Sequence, residues 1–306
     1  MAENRKSNKK RLRVRRQVHV PLHEVSGICV GRGRKGGMTL IAVGDRAAKI
    51  AWFPLPGRDD GTIDWQTRDI ATLSGSMLPQ DDPQIEAVCA DGAGRIFLLQ
   101  ETPPRVEVID PEALKVVASI DLAVEGRGEI AQAWSAPDGS RGEGIVLLPG
   151  GHFMVAKEKK PAALIEFGPP HAQSRGLARG GALAGGKRWP IKQGRHRFVA
   201  LATWLPNKRL AKTCTDFSDL EIGPDGGLYL LSDKSSTIAR LDDLPAGGGA
   251  AGLLDDWRLD DLDGKPEGLA FTREGCAVVG LDTRRPRRNL VLLEPAIAQP
   301  SPSPAR

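Results

Sequence analysis

The sequence predicts an all-β protein, a β-propeller of five four-stranded antiparallel blades, with six blades as the alternative count. Three observations carry that expectation. First, one phrase recurs five times: an acidic residue, a short apolar strand, a turn with glycine, a second apolar strand, and a second acidic residue. Second, four copies hold the two acids 14–15 positions apart (86 to 101, 143 to 158, 219 to 233, 267 to 282). Third, the chain carries 36 Gly and 23 Pro among 306 residues, which supplies many turns. Repeats of about 40–60 residues built from short strands are the signature of blades stacked round an axis, because one blade cannot bury both faces of its own sheet. Five unrelated hairpins in a sandwich would have no reason to repeat acidic positions.

Taken in order, the chain begins with a block of Arg5, Lys6, Lys9, Lys10 and Arg11, read as part of a disordered basic arm over residues 1–11. Such a block can touch nucleic acid or anionic lipid, but no aromatic residue interleaves it, so base stacking is not indicated. The single propeller domain is expected over 12–297. Val14 to Val20 alternates as a half-buried strand does, and it supplies the fourth strand missing from the last repeat, closing the ring.

The first copy runs Ser26-Gly27-Ile28-Cys29, then Leu40 to Val43 and Asp45, with Glu24 just before it. The second is Glu86 to Cys89, then Ile96 to Leu99 and Glu101. The third is Glu143 to Val146, then Phe153 to Val155 and Glu158. After it comes a Gly/Arg-rich stretch, 169–195, read as a mobile loop insertion. Asp219 to Ile222 and Leu228 to Leu231 make the fourth copy, ending at Asp233. Glu267 to Phe271 and Cys276 to Leu281 make the fifth, ending at Asp282. The Pro-rich tail, 298–306, is expected to be disordered.

Composition narrows the function classes. No run of about 18 apolar residues exists, so no transmembrane helix is expected. No apolar secretory region is visible near the N-terminus, so the cytoplasm is the expected compartment. The four cysteines, Cys29, Cys89, Cys214 and Cys276, show no CxxC, and the histidines lack zinc-ligand spacing; reduced core thiols are expected. The run Gly31 to Gly37 lacks the ending of a phosphate loop, and neither a GxSxG elbow nor a Ser/His/Asp set can be assembled. No catalytic residue is assigned.

The acids are the candidates for chemistry. In a propeller blade the start of strand one and the end of strand two lie on the same face of the disc. This gathers Glu86, Glu143, Asp219 and Glu267, with Glu24 or Ser26, around one mouth of the central channel. Asp45, Glu101, Glu158, Asp233 and Asp282 fall on that face further out. Converging carboxylates repel one another, and a hard cation that accepts 6–8 oxygens, Ca²⁺, would relieve the repulsion. The competing account is that each acid bonds backbone N–H groups of the next blade. Lys157, Lys159, Lys234, Arg284 and Arg285 follow the outer acids; a metal flanked by these cations suits a small anionic or phosphorylated ligand, and plain surface charge balance is the other account.

At Asp219-Leu220, Leu231 to Ser235 and Lys265 to Leu269 the sequence resembles the SdiA-regulated (YjiK-like), NHL-related bacterial propellers. That resemblance implies five blades and a bound calcium, without an established activity. Glu24 to Gly27 and Gly280 to Thr283 are similar to the esterase-like phytase group. The functional expectation is therefore a calcium-binding propeller, probed against two rivals: a metal-dependent phosphoesterase or lactonase, in which the metal polarises a phosphoryl or carbonyl oxygen and activates water, and a metal-free protein-interaction scaffold. A monomer is expected.

Overall fold

The structure is a computed structural model that describes residues 10–32, 37–55, 63–137, 140–183, 187–283 and 288–295. Residues 1–9 of the disordered arm expected over 1–11, and the tail expected over 298–306, lie outside the described residues.

Two short strands come first, β1 (Lys10–Leu12) and β2 (Val14–Val18). The first four-stranded unit is β3 (Gly27–Arg32), β4 (Met38–Gly44), β5 (Ala47–Leu55) and β6 (Gln66–Asp69). The second is β7 (Ile85–Ala90), β8 (Ile96–Gln100), β9 (Arg105–Asp110) and β10 (Lys115–Ala123). Helix α1 (Glu129–Ser135) leads into the third, β11 (Gly142–Leu148), β12 (His152–Lys157), β13 (Ala163–Gly168) and β14 (Gly194–Pro206). Helix α2 (Lys208–Thr213), capped by the Asn207 side chain on the Leu210 amide, precedes the fourth: β15 (Asp219–Ile222), β16 (Leu228–Ser232), β17 (Thr237–Leu241) and, beyond β18 (Gly249–Ala251), β19 (Leu253–Leu259). The fifth is β20 (Lys265–Phe271), β21 (Cys276–Asp282) and β22 (Leu290–Pro295), completed by β2, which pairs antiparallel with β22.

The first strands of successive units pack in a closed cycle: β3 against β7, β7 against β11, β11 against β15, β15 against β20, and β20 against β3. The core is divided in the same way. Ile41 and Ile50 of the first unit meet Ile85 and Leu98 of the second. Phe97 and Val108 meet Ile145, Phe153 and Phe167 between the second and third units. Leu148 and Leu164 meet Leu220 and Leu230, Leu231 and Ile238 meet Leu269 and Val279, and Ala270 and Val278 return to Ile28 and Leu40. Each sheet is apolar on both faces because each face is an interface with a neighbouring unit. A buried side chain of this kind contributes roughly 1.5–3 kcal/mol, so a missing unit would expose two of these seams. This is a β-propeller architecture.

The rim is stapled by parallel pairing. The N-terminal part of β14 adds to β10 of the preceding unit before its C-terminal part pairs with β13 of its own. β18 adds to β14, and the chain then enters its own unit as β19. β1 adds to β19, and β2 then enters the fifth unit. Outer edges that would otherwise present unpaired N–H and C=O groups are covered. Lys10 and Arg11, expected in the disordered arm, are therefore strand residues, paired to Asp255 and Asp260. The arm boundary moves to residue 10 because β19 offers an edge to pair with.

The stretch 169–195 also departs from expectation. Among its described residues Trp189 and Leu177 are buried. The Trp189 indole N–H donates to the carbonyls of Leu148 and His152, and its backbone N–H donates to the buried Asp91. The fully buried Glu166 carboxylate accepts from the Ser174 hydroxyl and from the Arg175 and Gly176 amides, and holds His152 at 2.6 Å. Backbone polar groups satisfied in this way hold an irregular segment in place. All four cysteines are free and buried, and among the described residues no helix is long and apolar enough to cross a membrane.

Candidate acidic mouth

The repeated glutamates stand at repeated irregularities of the innermost strands. Ile85 pairs with Gln100 and Ala87 with Leu99, so Glu86 is the extra residue of a bulge. Glu143 is extra between Gly142–Lys157 and Gly144–Ala156. Glu267 is extra between Pro266–Leu281 and Gly268–Gly280. A bulge leaves one residue unpaired and re-aims its side chain. The following glycine is required by the close approach of innermost strands. A Cβ on Gly144 would lie 2.4 Å from the Leu220 nitrogen, which explains the Glu-Gly order in two of the copies.

Glu86, Glu143 and Glu267 accept no hydrogen bond and form no ion pair among the described residues. Burial, then the charges of Glu101, Asp45 and Glu267, push the Glu86 carboxyl well above its ordinary range. Burial, then Glu86, Glu101 and Glu158, do the same to Glu143. Glu267 is pushed up to about 8 by burial and by Asp282, Asp233 and Asp45, against the opposing pull of Lys265. Asp45 is raised to about 7 by burial and by its hydrogen bond with Glu24. Inner and outer acids thus feel one another across one face.

Asp219 does not join them. It is buried, its Oδ1 accepts from the Leu220 amide at 2.7 Å and its Oδ2 from the Leu269 amide at 2.6 Å, so it clamps its own unit to the next. Ser26, which with Ser218 takes the place of the bulge glutamates, donates to the Ile85 carbonyl of the next unit at 2.6 Å, and Asp219 stands one place further, where the other copies carry Gly27, Ala87, Gly144 and Gly268. The expectation that Asp219 faces the mouth is corrected by these two bonds. Glu24 is largely covered and sits 3.3 Å from Arg46. Together with Glu86, Asp45, Arg46 and Glu101 line an open pocket of about 550 Å³, with Asp82 and Gln84.

Of the five cations expected to flank the metal, Lys157 and Lys159 are engaged close to their own strand end. Lys157 is buried, its Nζ donates to the Lys159 carbonyl, and burial lowers its pKa. Lys159 pairs with Glu158. Lys234 is exposed, its backbone N–H held by Asp216. Arg284 and Arg285 lie outside the described residues. Lys265 stands 3.5 Å from Asp282.

Sequence reasoning missed Glu221. Its pairing with Tyr229 puts it on β15 where the other copies carry Cys29, Cys89, Val146 and Ala270, and burial pushes its carboxyl up to about 8. An acid inside an otherwise apolar innermost strand was the available signal.

The donor chemistry of the mouth is hard oxygen, which suits Ca²⁺. Among the described residues, however, no three acidic, His or Cys side chains are placed to hold a metal ion directly.

No family model and no curated protein matches the chain. Similar solved structures are β-propeller-like. They include a streptogramin B lyase (12% identity, TM-score 0.48, covering 91% of this chain and 96% of that one). The aldose sugar dehydrogenase of Streptomyces coelicolor in its PQQ-bound form is similar at 12% identity and TM-score 0.47, covering 92% and 97%. The virginiamycin B lyase of Staphylococcus aureus is similar at 13% identity and TM-score 0.39, covering 88% and 67%. Sequence likeness this low carries no chemistry across, and the architecture rests on the strand order.

Proposed function

We propose that the chain is a five-bladed propeller, one blade per four-stranded unit, whose acidic mouth binds calcium as a hydrated ion held by Glu86, Glu143 and Glu267 with outer acids behind them. The observation that carries this reading is the triple of bulge glutamates, none with a hydrogen-bond or ion-pair partner among the described residues. Like charges gathered without partners raise the free energy of the folded chain, and a divalent cation offsets that cost. The anionic ligand inferred from the sequence would then be held by the bound metal, because Lys157 turns into its own loop and Lys159 is spent on Glu158.

The test is thermal unfolding with calcium and with chelator. Binding only to the folded state stabilises it by about 2.7 kcal/mol at a hundredfold excess over Kd, so Tm should rise with calcium. The double variant Glu143→Gln, Glu267→Gln should lose that response. A Tm indifferent to calcium and chelator alike rejects the reading in favour of a metal-free scaffold. Turnover of a generic phosphoester or lactone that depends on calcium and on these two glutamates would extend it to the hydrolase.

A further inference from the structure

Away from the mouth, a cleft of about 490 Å³ opens between the connection around residues 75–77 and the outer strands β10 and β14. Its lining includes Met77, Val116 and Val117, the cations Lys115 and Arg195, and Ser119.

Strand register builds it. Ser119 pairs with Glu107 on one side and with Arg195 on the other, so three neighbouring strands carry a polar row on one face. That face is turned toward the first unit, since Ile109, two residues from Glu107, packs with Ile41 and Ile50. Val117 is the extra residue of a bulge, because the register of β10 shifts between Val116 and Ala118. Glu107 is fully buried. Its Oε2 accepts the Ser119 hydroxyl at 2.8 Å, and its Oε1 is buried with no hydrogen-bond partner, 3.9 Å from the Arg105 guanidinium. At the opening, Lys115 forms no ion pair among the described residues, and Arg195 reaches only the half-exposed Asp121, at 3.5 Å.

We propose that this cleft binds a small organic anion with an apolar body, its acid group between Lys115 and Arg195 and its apolar part along Met77, Val116 and Val117. The sign follows from the rim: a cationic ligand would meet two like charges, and an uncharged one would cover two cations without compensation. The apolar body follows from Met77, which is 40% exposed in the cleft and gains by being covered. The depth follows from Glu107. Its hydrogen bond consumes the Ser119 hydroxyl hydrogen, so the inner end offers acceptors and repels an acid group toward the rim. None of this depends on the cation at the mouth.

The probe is anilinonaphthalene sulfonate, followed by fluorescence with the full-length chain. Hexanoate should displace it and hexylammonium should not. The double variant Lys115→Glu, Arg195→Glu should bind the dye at least tenfold more weakly, and Met77→Ser severalfold more weakly, while Lys208→Glu on α2 should bind as the parent does. If the double variant unfolds at lower temperature, Lys115→Gln alone replaces it and should still weaken binding severalfold. Saturating calcium should leave dye affinity unchanged. Equal competition by hexylammonium, indifference to the charge changes, or loss of dye on adding calcium would each overturn the assignment.

Discussion

The Asp219 carboxylate and the Leu269 backbone amide meet at 2.6 Å across the seam between the fourth and fifth units. An acid that opens one innermost strand is thereby consumed in fastening it to the next, while Glu86, Glu143 and Glu267, one position earlier in the repeat, are carried out of register by bulges and accept no hydrogen bond among the described residues. In the fourth unit Ser218 takes the place of the bulge glutamates, its N–H on the Leu231 carbonyl as the Ser26 N–H is on the Val43 carbonyl, and the acid stands one place further along, where a short side chain reaches the neighbouring strand.

Asp219→Ala should accordingly destabilise the fold by about 1–3 kcal/mol, because the Leu269 amide is left buried without an acceptor. Urea unfolding measures it. Asp219→Asn keeps one acceptor oxygen and should cost less. Calcium should raise the Tm of both variants by as much as it raises that of the parent, since neither bond lies in the mouth. A neutral Asp219→Ala would remove the seam argument.

Ring closure makes a second prediction. β1 and β2 bury Leu12 and pair with β19 and β22. Removing residues 1–20 should cost more than about 3 kcal/mol, from lost apolar burial and from the backbone bonds of two strands. It should also promote association through the bared edges. Removing residues 1–9 keeps both strands and should leave Tm unchanged. Equal stability of the two truncations would show that the N-terminal strands do not close the ring.

Trp189 supplies a third. It is fully buried, packs edge-on against Phe97 with centroids 5.3 Å apart, and bonds two carbonyls of the third unit. Trp189→Ala should cost about 3–5 kcal/mol, and protease should then cut within 169–195 of the variant before it cuts the parent. A small cost would restore the picture of a loosely held insertion.

How far the sequence reached is visible at particular residues. The strand phrase and the closing strand were legible because a period of two and a recurring Glu-Gly survive as local patterns. The fate of Asp219 was not, since it depends on an amide fifty positions away. The packing of 169–195 was hidden for a similar reason: its apolar residues are sparse, but Trp189 finds partners at Asp91, Leu148 and His152 that no local pattern indicates. Lys157 read as a surface cation because periodicity does not tell that its ammonium folds back on the Lys159 carbonyl.

The mouth gives the last prediction, a pH dependence whose sign is fixed by the direction of its shifts. Glu267 is raised to about 8, Asp45 to about 7, and Glu86 and Glu143 are raised as well, mainly by burial. In the unfolded chain these carboxyls return to about 4. Between those limits the folded state binds more protons than the unfolded one, so their contribution to stability is full below about pH 4 and is lost as pH rises toward 8. Glu166 runs the other way: burial raises its pKa, but its hydrogen bonds from His152, Ser174, Arg175 and Gly176 prevail and lower it, so its contribution is lost as pH falls. In chelator, Tm should therefore decline from about pH 5 to pH 8, and Glu267→Gln with Asp45→Asn should flatten the decline. Calcium competes with protons for the same oxygens, so its stabilising effect should be larger at pH 8 than at pH 5. A decline that persists unchanged in the double variant would locate the titrating groups elsewhere, and a calcium effect that grows toward acid would remove the glutamates from its site.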